Sequence, residues 1–400
     1  MIAMAGAVAV AVVAAVVSLE LGARARLRRH TRPAVWRPGL RLELRQDPAL
    51  FRQVEPRVRF DINAEGERGG EVRDGEPGLY RILVAGGSSV ECLALDQPTS
   101  WPGALERELS TDARRRALVA RRVHVGNIGR SGIGSGQLDL ILEHVLPHYR
   151  RLDAIIIMVG ASDVLRWLED GAPPLLGAEA QVDDVLSVHP GQTYGWTPGA
   201  SALAELVRRA RVAWLTPVEI REHAGAWLLA ARRMYAEARE VRRTAPDPCV
   251  VLDRFDHHLR RIIRRAQGHA DRVLLVRQPW FDRAPAPDEL AQFWHGGVGK
   301  AWKQRIDVVY SYEVLHQLMS RLDAAAARVA DELHVPHLDL RPRLRPSLEH
   351  YFDMFHYTPA GAAIVAREVA ALLVGRKEAD RRPSRPVAPR AVSFGAGEFA

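Results

Sequence analysis

The run Phe352-Asp353-Met354-Phe355-His356-Tyr357-Thr358-Pro359 places an aspartate and a histidine three positions apart near the end of the chain. Far upstream, Val84-Ala85-Gly86-Gly87-Ser88-Ser89-Val90 puts a serine on a glycine turn after an apolar strand. A serine hydroxyl becomes a nucleophile only when a base removes its proton. Histidine is the usual base, and a carboxylate holds its tautomer and orientation. A spacing of three lets Asp353 and His356 project together from one short turn. Gly86 and Gly87 permit a tight turn that leaves the Ser88 Oγ exposed. A helix starting there aims its N-terminus at the site and favours an oxyanion.

Two further segments join these. Asn127-Ile128-Gly129-Arg130-Ser131-Gly132 and Gly160-Ala161-Ser162-Asp163 each follow an apolar run. With Gly86-Gly87-Ser88-Ser89 and Asp353 to His356 they make four blocks that resemble, in order, those of the SGNH (GDSL-type) hydrolases. The resemblance covers roughly residues 80–375. It implies a three-layer, flavodoxin-like α/β fold with about five parallel strands. It implies Ser88 as nucleophile, His356 as base and Asp353 as its orienting carboxylate. The backbone N–H groups of Ser88 and Gly132 are then oxyanion donors. The family places an asparagine donor in the third block, where this chain has Ser162, a shorter hydroxyl donor. Asn127 and Asp163 are expected to fix loop geometry. No Gly-x-Ser-x-Gly elbow surrounds Ser88, which argues against the α/β-hydrolase arrangement.

The elements needed to position these residues are legible as short apolar runs at 82–85, 123–125, 154–159, 273–276 and 335–338. Continuous runs of this kind suit strands buried on both faces of a parallel sheet. Helical patterns alternate with them at 101–109, 138–146, 255–266, 312–333 and 359–373. Thr358 before Pro359 is a good helix start. Alternating strands and helices predict a doubly wound sheet with its site at the carboxyl ends of the strands. The expected division is a membrane anchor at 1–23, a pre-domain segment at 24–78, the catalytic-type domain at 79–375 and a disordered tail at 376–400. A weak alternation at 59–63 suggests an added edge strand. An insertion at about 164–252 comprises a Pro/Gly-rich loop and then basic helices at 200–243. A second irregular stretch, 279–303, carries Trp280, Trp294, His295 and Trp302. It reads either as a lid or substrate wall or as a satellite core.

The chain has 400 residues, 47% of them hydrophobic, and a formal net charge of +8. That suits one large domain with appendages. Its only lysines are Lys300, Lys303 and Lys377. Arginine, interleaved with acidic residues, carries the basicity, so no nucleic-acid partner is expected. Two cysteines, Cys92 and Cys249, make no disulfide framework. The His257-His258 pair lacks a third ligand at convincing spacing. No metal and no cofactor are expected. Met1 to Leu19 carry no charge, and Arg24, Arg26, Arg28, Arg29 and Arg32 follow. This predicts a single-pass N-terminal membrane helix. The side of the membrane stays open, since the arginines favour a cytoplasmic domain whereas anchored relatives face outward. The expected function is hydrolysis of a small, acetyl-like ester of a carbohydrate or lipid. Acyl transfer to another hydroxyl would use the same residues. A protein that binds a glycan or an envelope partner without catalysis is the competing reading.

Overall fold

The computed structural model describes residues 2–381 except 31, 52, 74, 178–180, 188–200, 208–217 and 223–224. Its centre is a five-stranded parallel sheet. The strands are β3 (Leu79–Gly86), β4 (Arg122–Asn127), β5 (Leu152–Met158), β8 (Ala270–Val276) and β10 (His337–Leu338). Their order across the sheet is β10-β8-β5-β3-β4. The first of these strands in the chain, β3, pairs with β4 on one side and β5 on the other. The winding direction therefore reverses at β3, and ligands bind at such switch points in open α/β sheets. The Ser88 turn leaves the carboxyl end of β3.

Burial explains why these segments are strands. Ile82 to Ala85 and Ala154 to Met158 are buried without a break, as helices cover both faces. Helix Trp101–Leu109 packs with helix Pro359–Arg381 in one layer. In the other layer, helix Cys249–His269 packs against Ser135–Val145 and Tyr312–Glu332. This is the doubly wound, three-layer architecture expected from the alternation.

Outside the sheet the expectations are modified. The alternating segment near Arg59 is a strand, β2 (Arg57–Asp61), but it does not edge the main sheet. It pairs antiparallel with β1 (Arg41–Arg45), which pairs parallel with β6 (Glu219–Glu222). Leu42, Leu44, Val58 and Phe60 form a separate small core there. Trp36 and Leu93 pack on this core, while Ile220 of β6 stays exposed, so β6 joins through backbone pairing. Instead of a uniform run of basic helices, the described part of 200–243 holds β6, helix Gly225–Ala236 and β7 (Glu240–Arg242), which pairs with β9 (Val308–Tyr310). The final helix continues to Arg381, past the expected helix end at 373 and domain end at 375. The rest of the expected tail and much of the Pro/Gly-rich loop lie outside the described residues.

The segment before the sheet is no bare linker. Arg68 is fully buried, and its guanidinium donates to the carbonyls of Glu91 (2.7 Å) and Cys92 (2.9 Å) and to that of Leu95. Its neighbour Glu67 accepts from Arg81 and contacts His124, each at 2.9 Å. At the N-terminus, one helix is long and apolar enough to cross a membrane, with a mean hydropathy of 2.1 over Gly6–Arg26. Val8, Val10, Val13 and Leu21 on it are exposed.

Candidate active site

Ser88 opens a one-turn helix, Ser88–Glu91, capped by Gly87 in extended backbone. Gly86 is required by space: a Cβ there would lie 1.9 Å from the Met158 carbonyl of the adjacent strand. The close approach of β3 and β5 thus forces the glycine and throws Ser88 upward. Ser89 points the other way. It is buried, its hydroxyl donates to the Phe355 carbonyl at 3.2 Å, and it accepts from Gln278 at 3.1 Å. Of the two serines, only Ser88 meets the histidine.

His356 Nε2 lies 2.8 Å from the Ser88 Oγ, across 268 residues of sequence. Its Nδ1 lies 2.8 Å from Asp353 Oδ2. Asp353 Oδ1 also accepts from the backbone N–H groups of Phe355 and His356, both at 2.9 Å. That locks the carboxylate against its own turn. Burial pushes the pKa of Asp353 up, but the charges of His356 and His295 and these donors outweigh it. The carboxyl is held well below its usual range. Burial pushes His356 down, and the Asp353 carboxylate more than offsets this, so the imidazole is shifted above its ordinary value. A histidine so placed can accept a proton from Ser88 and retain it while charge develops on the substrate.

The second and third blocks close the other side. Asn127 donates to the Val90 carbonyl at 2.8 Å and accepts from Gly129 N–H at 2.8 Å. Asp163 accepts from Ser135 N–H at 2.9 Å and from the Ser135 hydroxyl at 2.6 Å. These side chains tie loops in place. Gly132 has φ +73 and open space around it, a backbone that a side chain would strain. Ser162 sits at the start of helix Ala161–Glu169. A Cβ built on Gly87 would be 4.0 Å from its hydroxyl oxygen, so Ser162 overhangs the Ser88 turn.

Ser88, Gly132, Ser162, Asp353 and His356 all line one cavity of about 620 Å³. The cavity also includes groups that the motifs did not single out. Trp294 donates from its indole N–H to Asp353 Oδ2 at 3.3 Å. His295 stacks on Trp294 with ring centroids 4.0 Å apart and lies 5.8 Å from the His356 ring. Burial lowers His295 to about 4, so it is neutral at pH 7. Their signal was the tryptophan-rich stretch 279–303, which splits. Trp294, His295 and Trp302 line the cavity, whereas Trp280 is fully buried against His316. Glu91, buried, accepts from the Ser131 hydroxyl behind the oxyanion side. Burial raises its carboxyl above the usual range.

Two clusters bring metal-ligating groups together. His295, Asp353 and His356 bring three potential ligand atoms within 4.8 Å. The Asp353 oxygens are already filled by N–H donors, however, and His356 Nε2 faces Ser88. His258 lies 3.6 Å from Asp139, whose carboxylate is taken by Arg261 and Arg265, each at 2.8 Å. Cys92 is buried, and burial pushes its thiol up to about 12, consistent with a packing role.

No family model and no curated protein matches the chain. Solved structures similar to it include Axe2, an acetylxylan esterase from Geobacillus stearothermophilus. That match has 14% identity and a TM-score of 0.39, covering 76% of this chain and 95% of that one. LAE5, an alpha/beta hydrolase enzyme from the metagenome of Lake Arreo, Spain, matches at 12% identity and a TM-score of 0.40, covering 76% and 97%. A member of the lipolytic protein G-D-S-L family from Veillonella parvula matches at 10% identity and a TM-score of 0.39, covering 74% and 97%. These likenesses are of general outline and bring no substrate to this chain. The chain's own strand order, with its four blocks on that sheet, is the α/β architecture that the resemblance to SGNH hydrolases implies.

Proposed function

We propose that the protein is a serine esterase that removes a small, acetyl-like acyl group from a carbohydrate or lipid ester. The observation that carries this reading is the hydrogen-bonded chain from Ser88 Oγ through His356 to Asp353, opening on the cavity. In the proposed mechanism His356 Nε2 takes the Ser88 proton as Oγ attacks the ester carbonyl. The tetrahedral oxyanion is held by the N–H groups of Ser88 and Gly132 and by the Ser162 hydroxyl. His356 then gives its proton to the leaving alcohol oxygen. Water, activated by the same histidine, attacks the acyl-serine and releases the acid. Another hydroxyl in place of that water would make the protein an acyltransferase, with the same residues in the same roles.

A fluorophosphonate probe tests the nucleophile. Labelling of wild type that is lost in Ser88→Ala supports the reading, and equal labelling of both overturns it. Hydrolysis of p-nitrophenyl acetate, faster than of longer-chain esters, tests the acyl size. We also place the protein at a membrane through its N-terminal helix. Removing residues 1–32 should move it from the membrane to the soluble fraction, and a full-length protein already soluble would refute that.

A further inference from the structure

The far wall of the cavity is built differently from the wall around Ser88. Helix Ala161–Glu169 presents Ser162, Leu165, Arg166 and Glu169 to the cavity, spaced at the helical repeat. At 1.5 Å per residue, Arg166 and Glu169 lie about 6 and about 10 Å along the axis from Ser162. Lys300 and Trp302 line the same wall. They are fixed to the helix by the Gly299 N–H, which donates to the Glu169 carbonyl at 2.7 Å. Among the described residues, the side chains of Arg166 and Lys300 have no hydrogen bond or ion pair. Arg130 and Arg232 differ: they are tied to backbone carbonyls. Among the described residues Glu169, on the same wall, forms no ion pair with Arg166 or Lys300. Glu169 is raised by burial to about 7, against the pull of Arg166 and Lys300. The other acid on this side, Asp184, accepts from the Gln181 N–H of its own turn. The wall therefore offers two uncommitted cations beside a half-exposed indole, Trp302.

Resting on the esterase reading, we propose that this wall is a subsite for an anionic group on the alcohol part of the ester, a carboxylate or a phosphate held between Arg166 and Lys300. Two cations suit a multi-oxygen anion, with the guanidinium giving paired donors and the ammonium a point charge. Trp302 supplies a flat face on which a sugar ring can lie. The reacting acyl group sits at Ser88, and Arg166 lies about one helical turn along the axis from Ser162, which overhangs that serine, a distance a glycosyl residue bridges. The favoured substrate is thus an acylated acidic sugar, and neutral esters are turned over with lower kcat/KM.

The test uses full-length protein in detergent. Three acetyl esters are compared: methyl O-acetyl-glucoside, methyl O-acetyl-glucuronoside and O-acetyl-glucose 6-phosphate. The anionic esters should exceed the neutral one by about tenfold in kcat/KM, mostly through KM, and the uronate and phosphate arms distinguish the two anions. In Arg166→Ala/Lys300→Ala the ratio should fall towards one. In Glu169→Gln it should rise, because a competing carboxylate is removed. A ratio of one in wild type, or one unchanged in the double variant, overturns the subsite. A binding arm keeps this separate from the chemistry. Quenching of tryptophan fluorescence by the deacetylated uronoside and phosphate should be seen in Ser88→Ala and lost in the Arg166/Lys300 double variant. If the anions quench but no ester is cleaved, the esterase reading fails and the subsite stands. If esters are cleaved without charge preference, the subsite alone fails.

Discussion

The two ends of the cavity differ in how their polar groups are committed. Around Ser88 the side chains of the relay itself are tied. Asp353 accepts from three or more N–H groups, and Asn127 and Asp163 are spent on loops. At the far wall Arg166 and Lys300 line the cavity without such ties among the described residues. The difference teaches where rigidity is needed. A proton relay works only if donor and acceptor stay within hydrogen-bond reach. A recognition wall keeps its charges solvated until the ligand replaces water.

The comparison would break most sharply at the relay. Ser88→Ala or His356→Ala should reduce turnover of p-nitrophenyl acetate about 10⁴-fold or more, since the relay acts as a unit. Near-wild-type rates in both would remove the distinction between the two ends.

Asp353→Asn should cost somewhat less, about 10³- to 10⁴-fold, by releasing the imidazole tautomer. It carries a pH signature. The base must be neutral, so activity is lost as pH falls through the His356 value. Asp353 raises that value, so the wild-type acid limb should lie above about 6.5, the ordinary histidine value. The limb should move down in Asp353→Asn. A limb that does not move would mean that Asp353 is not coupled to the titrating group.

Ser162 tests the boundary between the two ends. Its loss as a donor, in Ser162→Ala, should lower kcat by about tenfold to 10²-fold with little change in KM. Ser162→Asn should raise kcat by about tenfold if the longer amide reaches the oxyanion. A fall in Ser162→Asn together with an indifferent Ser162→Ala would show that the loop has adapted without this donor.

At the far wall the effect should be smallest. Trp302→Ala should raise KM for a sugar ester a few-fold, as loss of one stacking face, and move kcat less. A kcat loss as large as that of Ser162→Ala would make the wall part of the relay.

The relay end was readable because its residues come in short local patterns beside strand ends, and parallel strands announce themselves as apolar runs. Ser88 and the Asp353–His356 turn are found in this way even though 268 residues separate Ser88 from His356. The far wall left no such trace. Arg166 and Lys300 come from a helix face and an irregular stretch, joined by one backbone hydrogen bond. The small sheet was also hidden, because Leu42 pairs with Glu219, a partner that no local pattern specifies. Arg68 and Glu67 fall in the expected pre-domain segment, where no local pattern marks them, and their burial depends mostly on carbonyls and side chains supplied by later segments.

That last feature bears on the order in which the chain assembles. Arg68 leaves the ribosome before most of the groups that satisfy it: only the Arg59 carbonyl, at 3.3 Å, precedes it. Its other acceptors are the carbonyls of Glu91, Cys92 and Leu95, and its backbone pairs with Asn127. A guanidinium buried without acceptors is costly. The early segment therefore stays hydrated while the N-terminal helix is already made, and docks only after β3 and β4 have formed. The segment that follows the N-terminal helix is thus synthesised before the central sheet and settles after it. Its arrival seals the back of the nucleophile turn. In a refolding experiment, protection of amides around residues 57–70 should lag behind that of β3 and β5, and esterase activity should return with the later phase.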